Sequence, residues 1–197
     1  MIDKRSLINI SESKRVLIRQ ENFAYLLPCE QLRNYISNFT VAFPDPSTLS
    51  DAYSVMPHGS VTLVLFSYKT ELHSFLFGPT TKPHKVGDIA NKCDVICIIE
   101  FQPAGFFPFT QINQRELTDR ILPLSSIDHI LDDTMRNILS SSLSLDALIL
   151  AFENKLMQSI RILYPKALAQ AMQAVIQTEG VMPSMEIAKH VFYSPRQ

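Results

Sequence analysis

Along the first hundred residues the hydrophobic positions recur mostly at a spacing of two. Val16 and Ile18, then Phe23, Tyr25 and Leu27, alternate as the side chains of short strands do, and Pro28 closes that stretch. Between Tyr53 and Phe101 the same pattern predicts more strands. Val61, Leu63 and Leu65 interleave with Thr62, Val64 and Phe66, so both faces are apolar, as in a central strand. Leu72–Phe77, closed by Gly78-Pro79, is a second strand, and Cys93–Phe101, ending at Gln102-Pro103, is a third. Lys82-Pro83-His84-Lys85 and Gly87-Asp88 supply turn chemistry between them. One segment departs from this period. Leu32, Tyr35, Ile36 and Phe39 stand at helical spacing and predict a short amphipathic helix over Glu30–Phe39, before a loop at Pro44-Asp45-Pro46-Ser47.

After Gly105 the spacing shifts towards three and four. Ile112–Leu122 and Ile127–Leu139 have mixed helical character and are divided by Pro123. The clearest helix begins near Ser144, with Leu145, Leu148, Phe152, Leu156, Ile160 and Leu163 on one stripe. Pro165 suits the first position of a further helix carrying Leu168, Met172, Val175 and Ile176, and Gly180 suits its C′ stop. Ser184 is positioned to cap Met185–His190. The chain therefore reads as α+β. A β-rich sandwich or small barrel spans residues 1–110, a helical connection spans 111–164, and a last helical region spans 165–197.

Composition narrows the function classes. Of the 197 residues, 46% are hydrophobic and 19% charged, enough to bury a sizeable core. No segment approaches the roughly 18–20 apolar residues a membrane span needs, and Met1-Ile2-Asp3-Lys4-Arg5 lacks a signal-peptide core. These features predict a soluble, cytoplasmic protein. Its 18 Lys and Arg against 19 Asp and Glu give a net charge of −1 with no basic run, which does not favour autonomous DNA binding.

The run from Ile176 to Gln197 resembles the opening of the DNA-binding domain of AraC/XylS-type bacterial transcription regulators. That family shows a helix, a glycine, a short helix of the v-x-x-L-A type, and a turn into S-x-R-x-L. Ser184, Ile187, Ala188, Ser194 and Arg196 match in order and spacing. A small residue at Ala188 lets two helices approach closely, and Ser194 can cap the next helix. Phe192 stands where the family often has a turn glycine, so this turn needs another backbone conformation. Upstream, Tyr25-Leu-Leu-Pro28 with Leu32 and Tyr35, Met56-Pro57-His58-Gly59, Gly78-Pro79-Thr80 and Phe101-Gln-Pro103-Ala104-Gly105-Phe106 resemble the regulatory domain of one AraC-type subgroup. The resemblance covers roughly residues 23–197.

It implies a cupin-like sensor domain at 1–110 and the start of a helix-turn-helix domain at 165–197. It also implies that Ser184, Ala188, Ser194 and Arg196 belong to DNA-binding machinery that is incomplete here. Gln197 would fall in the first turn of the recognition helix, the helix that enters the major groove. Promoter DNA would thus be reached only through a downstream region.

Candidate chemistry is sparse. Five histidines, at 58, 73, 84, 129 and 190, include no His-x-His pair, so neither a metal nor a cofactor is expected. There is no Gly-x-Ser-x-Gly elbow and no Gly-rich phosphate loop, so no catalytic residues are assigned. Cys93 and Cys97, four apart on one predicted strand, would lie about 13 Å apart, too far for a disulfide. Phe106, Phe107 and Phe109, interleaved with Pro103 and Pro108 on a stiff segment, could line an apolar effector pocket or pack one end of the β-domain; packing is the commoner use of such residues. His58 could hydrogen-bond an effector or be a plain loop histidine. Leu145, Leu148, Phe152 and Leu156 could pair with a second subunit to form a homodimer, although such a stripe is more often core. The leading expectation is the regulatory part of a DNA-binding regulator that senses a small molecule or mediates dimerisation. A stand-alone ligand-sensing or partner-binding domain is its alternative, and a small metal-dependent cupin-like enzyme is third.

Overall fold

The computed structural model describes residues 1–10, 15–45 and 50–191. The chain divides into two compact units, Met1–Ile160 and Arg161–Gln197.

The first unit is mixed α+β. Its strands are β1 Val16–Arg19, β2 Phe23–Leu26, β3 Ile36–Ala42, β4 Ser54–Val55, β5 Thr62–Tyr68, β6 Glu71–Phe77, β7 His84–Lys85, β8 Val95–Phe101 and β9 Ile121–Pro123. Its helices are α1 Gly87–Ala90, α2 Phe107–Thr110, α3 His129–Ser141 and α4 Leu145–Ser159. Seven strands form one antiparallel sheet in the order β1-β2-β3-β8-β5-β6-β9, and β4 pairs with β7 in a separate ribbon. β8 and β5 occupy the middle, each hydrogen-bonded on both sides. That placement explains why these two strands are apolar at almost every position.

Alternation sorts the sheet into two faces. Phe39, Val41, Leu63, Leu65, Leu76, Cys97, Ile99 and Phe101 point one way and are almost wholly buried. Each such aliphatic or aromatic side chain contributes about 1.5–3 kcal/mol by leaving water. Helix α3 packs on β5 and β6 from this side and is fastened by the Ser74 hydroxyl, which donates to the Asp132 carboxylate. The Asp132 carboxylate also pairs with Arg136 at 3.0 Å. Asp128 caps α3 by accepting from the Leu131 N–H, and Ser144 caps α4 by accepting from the Ala147 N–H.

Three expected elements take another form. Over Glu30–Phe39 only a 3₁₀ turn, Glu30–Leu32, forms before β3 begins. Leu32, Tyr35, Ile36 and Phe39 are all buried as their spacing requires. The extended backbone wins because Phe39 and Val41 pair across the ladder with Ile99 and Cys97. Ile112–Leu122 likewise becomes a 3₁₀ turn, Gln114–Leu117, followed by β9, which adds to the edge at β6. The left-handed Asp119 (φ 57°) interrupts any helix there. The stripe expected as far as Leu163 ends with α4 at Ser159, and Leu163 is exposed. Cys93 precedes β8, so the two cysteines do not share a strand.

The second unit contains α5 Lys166–Gln177 and α6 Ser184–His190, which pack on each other. Pro165 precedes α5 as its cap residue. The stop is a Schellman turn: the Gly180 N–H reaches Val175 O at 2.8 Å and the Glu179 N–H reaches Ile176 O at 3.1 Å. Glu179 (φ 52°) therefore fills the C′ position expected of Gly180, and Gly180 (φ 77°) is the residue after it. Pro183, with extended ψ, caps α6; Ser184 is the first helical residue and makes no capping bond.

Candidate functional site

The second face of the sheet differs sharply from the first. Val64, Phe66, Phe75, Phe77 and Ile98 face away from the buried set and are half-exposed. Their register is continuous, since Val64 stands opposite both Phe75 and Ile98. Rings form a ladder along β5 and β6. Phe66 stacks on Phe75 at 6.1 Å between centroids and on His73 at 5.1 Å. Phe77 meets His84 of β7 edge-on at 6.0 Å. Polar groups border the apolar patch, because Thr62 pairs with both Phe77 and Glu100 at one end of β5.

Beyond that end, two loops meet. The Thr80 N–H donates to His58 O at 3.0 Å. Several backbone groups around this contact are bonded across segments. Gln114 bridges two segments, donating from Nε2 to Gly59 O at 2.6 Å and accepting the Ala104 N–H at 3.0 Å. Gly78 N–H donates to Arg120 O, and Asp119 N–H donates to Pro79 O. A Cβ on Gly78 would lie 1.8 Å from Leu117 O, so only glycine permits this approach. The Asp119 carboxylate accepts from the backbone N–H of Thr81 at 2.7 Å and from its hydroxyl at 2.8 Å. Those two bonds hold its acid below the usual carboxylate range. Inside the frame, His58 Nδ1 and Thr80 Oγ1 are excluded from solvent and meet no partner among the described residues.

The residues singled out in the sequence fall in different places. His58 lies in this corner. Phe106 and Phe109 are buried in the core: Phe101 contacts them at 5.0 and 5.5 Å, and Tyr35 meets Phe109 at 5.9 Å. Packing one end of the β-domain is the use the structure makes of them; Phe107, beside them, is half-buried. Leu145, Leu148, Phe152 and Leu156 are at most 1% exposed, so they pack within their own unit and offer a second subunit no surface. Ser184 is exposed and Ala188 is buried in the second unit, at 7% exposure. Ser194, Arg196 and the turn residue Phe192 lie outside the described residues.

Other charged and nucleophilic groups serve the fold. Glu153 of α4 is buried, and its Oε1 accepts from Arg15 at 2.6 Å and from the Cys29 N–H at 2.6 Å. All three cysteines are free thiols. Burial raises all of them: Cys97 strongly, Cys93 to about 11, and Cys29 with help from the nearby Glu153 charge. Such thiols hold little thiolate at neutral pH and are poor nucleophiles. Among the described residues no group of three or more His, Cys, Asp or Glu side chains is gathered as a metal would need. No helix among them is long and apolar enough to cross a membrane.

Sequence reasoning missed the half-buried aromatic face. Its one legible trace was the double-sided apolar pattern of β5, which equally describes a strand covered on both sides. Fold and surface together define a mixed α+β domain with one helix-packed sheet face and one half-exposed aromatic face. A family model described as a domain of unknown function (DUF6597) matches residues 25–123, and the chain belongs to that family. No curated protein and no solved structure matches the chain.

Proposed function

We propose that this chain is the regulatory part of an AraC-type DNA-binding transcription regulator of the bacterial cytoplasm. In this reading the first unit senses a small, largely apolar molecule on the half-exposed sheet face. The second unit carries the start of a helix-turn-helix domain. The observation that carries the reading is the helix pair of the second unit. Helix α5, its Schellman stop at Glu179-Gly180, and α6 with buried Ala188 follow the order and spacing of the AraC-type motif. Effector binding would act by preferring one of two conformational or assembly states of the regulator. A homodimer in this reading uses surface other than the buried α4 stripe.

The test is to read the gene past the codon for Gln197 and assay the full product on promoter duplexes. A continuation into a recognition helix and a second helix-turn-helix, with duplex affinity falling steeply as salt rises, supports it. An immediate stop codon, with no duplex bound, overturns it. A ligand-sensing or partner-binding domain acting without DNA would then take its place, a reading favoured by the compactness of the first unit.

A further inference from the structure

We propose that Glu100 pairs with a small organic ammonium, an amine whose apolar body lies over the aromatic ladder of the half-buried sheet face. The inference rests on the sensor reading above and names the chemistry of its ligand. Glu100 is the one charged residue of β8, whose other six positions are Val, Ile, Cys or Phe. It stands in the middle of the sheet, opposite Asn38 of β3 on one side and Thr62 of β5 on the other. Residues directly opposite each other project from the same face. Glu100, Thr62 and Phe77, which is opposite Thr62, therefore share the face that carries Val64, Phe66 and Phe75. Solvent reaches Glu100 and Thr62, whereas their strand neighbours Ile99 and Leu63 are wholly buried.

Among the described residues this carboxylate has no answering group. The Glu100 side chain enters no ion pair or hydrogen bond with them, and neither does the Thr62 hydroxyl. Asn38 turns to its own strand, donating to Thr40 Oγ1 and accepting from the Ser37 hydroxyl, each at 3.1 Å. On this face β2, β3, β8, β5 and β6 present no lysine or arginine. Holding a carboxylate part-way out of water on an apolar strand costs free energy unless a donor or a positive charge meets it. An ammonium supplies both, donating to the Glu100 carboxylate and to Thr62 Oγ1. The rings favour the same sign of charge, because the face of an aromatic ring is the negative part of its quadrupole. Register sets the size of the guest. Val64 lies diagonal to Glu100 at about 7–8 Å, and Phe75 lies beyond it on β6. A ring or short alkyl body two or three carbons from the nitrogen spans that distance.

Three probes of one shape and different charge test the pairing. The 197-residue chain is titrated at neutral pH with phenethylamine, 2-phenylethanol and 3-phenylpropionate. Shifts are followed by NMR at the Glu100 carboxyl carbon and at the Val64 and Ile98 methyls. The expected result is saturable movement of all three sites by the amine, with affinity about tenfold above the alcohol, the scale of one charge-assisted hydrogen bond. The carboxylate probe should bind more weakly than the alcohol. Glu100→Gln, which keeps the shape and removes the charge, should lower the amine to the level of the alcohol and leave the alcohol within about twofold. Asp133→Asn, on the helix packed against the opposite face, should leave the preference intact. Phe75→Leu should weaken amine and alcohol together. Equal binding of amine and alcohol, or a preference that survives Glu100→Gln, overturns the ammonium assignment while leaving a sensing face. Failure of every probe to move Val64 and Ile98 overturns the sensing face and this proposal with it. If Glu100→Gln fails to fold, the ranking of the three probes on the unsubstituted chain, with the Glu100 carbon shift, decides the matter.

Discussion

Asp119 shows how much one side chain can fix locally. It adopts a left-handed backbone that glycine or asparagine would occupy more easily, and it spends both carboxylate oxygens on Thr81. Its acid is held low because the two bonds favour the charged form. A group whose folded pKa is depressed stabilises the fold above its unfolded pKa, and that contribution is lost as pH falls through the folded value. A carboxyl carbon titration followed by NMR should therefore find Asp119 titrating below the usual aspartate midpoint near 3.9. Thr81→Val removes the hydroxyl but keeps the N–H, so it should move the midpoint part of the way back. An unchanged midpoint would show that the hydroxyl bond does not form in solution. None of this was legible beforehand, since Asp119 follows Thr118 in a stretch whose spacing resembled a helix.

At the level of elements, agreement with the sequence follows the strength of the period. β5, β6, α3 and the body of α4 lie where their spacing put them, because each buries one complete face. Misreadings cluster where a short apolar set fits two periods, as at Leu32–Phe39, and partner strands then decide. The β5–β6 hairpin turns through Lys69 and Thr70, both at positive φ (50° and 69°), a conformation that Asn-Gly signals and Lys-Thr does not. The half-buried aromatic face escaped notice for a different reason. Its residues are hydrophobic whether covered or not, and no alternation distinguishes the two. Between elements, the Glu153 carboxylate fastens α4 both to Arg15 and to the turn after Pro28. Arg15→Met removes the cation and leaves a buried carboxylate with only a backbone donor. Urea unfolding should show a loss of about 2–4 kcal/mol, less than the full cost of an isolated buried charge because Arg15 is partly exposed. Combining it with Glu153→Gln should recover part of that loss. A double variant no better than Arg15→Met would mean that the packing of the arginine stem, rather than charge, mattered there.

For the whole molecule, the division at residue 160 is the feature with experimental reach. The first unit holds the complete sheet with α3 and α4 and has its own core, from Leu7 and Phe39 to Leu148 and Phe152. In α5 no side chain is buried, so the second unit brings little core of its own. Residues 1–160 produced alone should unfold in one cooperative urea transition at a midpoint close to that of the 197-residue chain. A large fall in midpoint, or loss of cooperativity, would show that the division is not an energetic one. Pro165, where the helical stripe changes in the sequence, lies a few residues beyond this division.

The contact between Arg15 and Glu153 spans 138 residues of chain. A ribosome releases the first partner early and the second only after the entire sheet has emerged. The strand that follows Arg15 is thus left without its anchor until Glu153 has emerged, and the clasp closes only when the last helix of the unit comes out. Order of assembly is written into this fold by where a single carboxylate was placed.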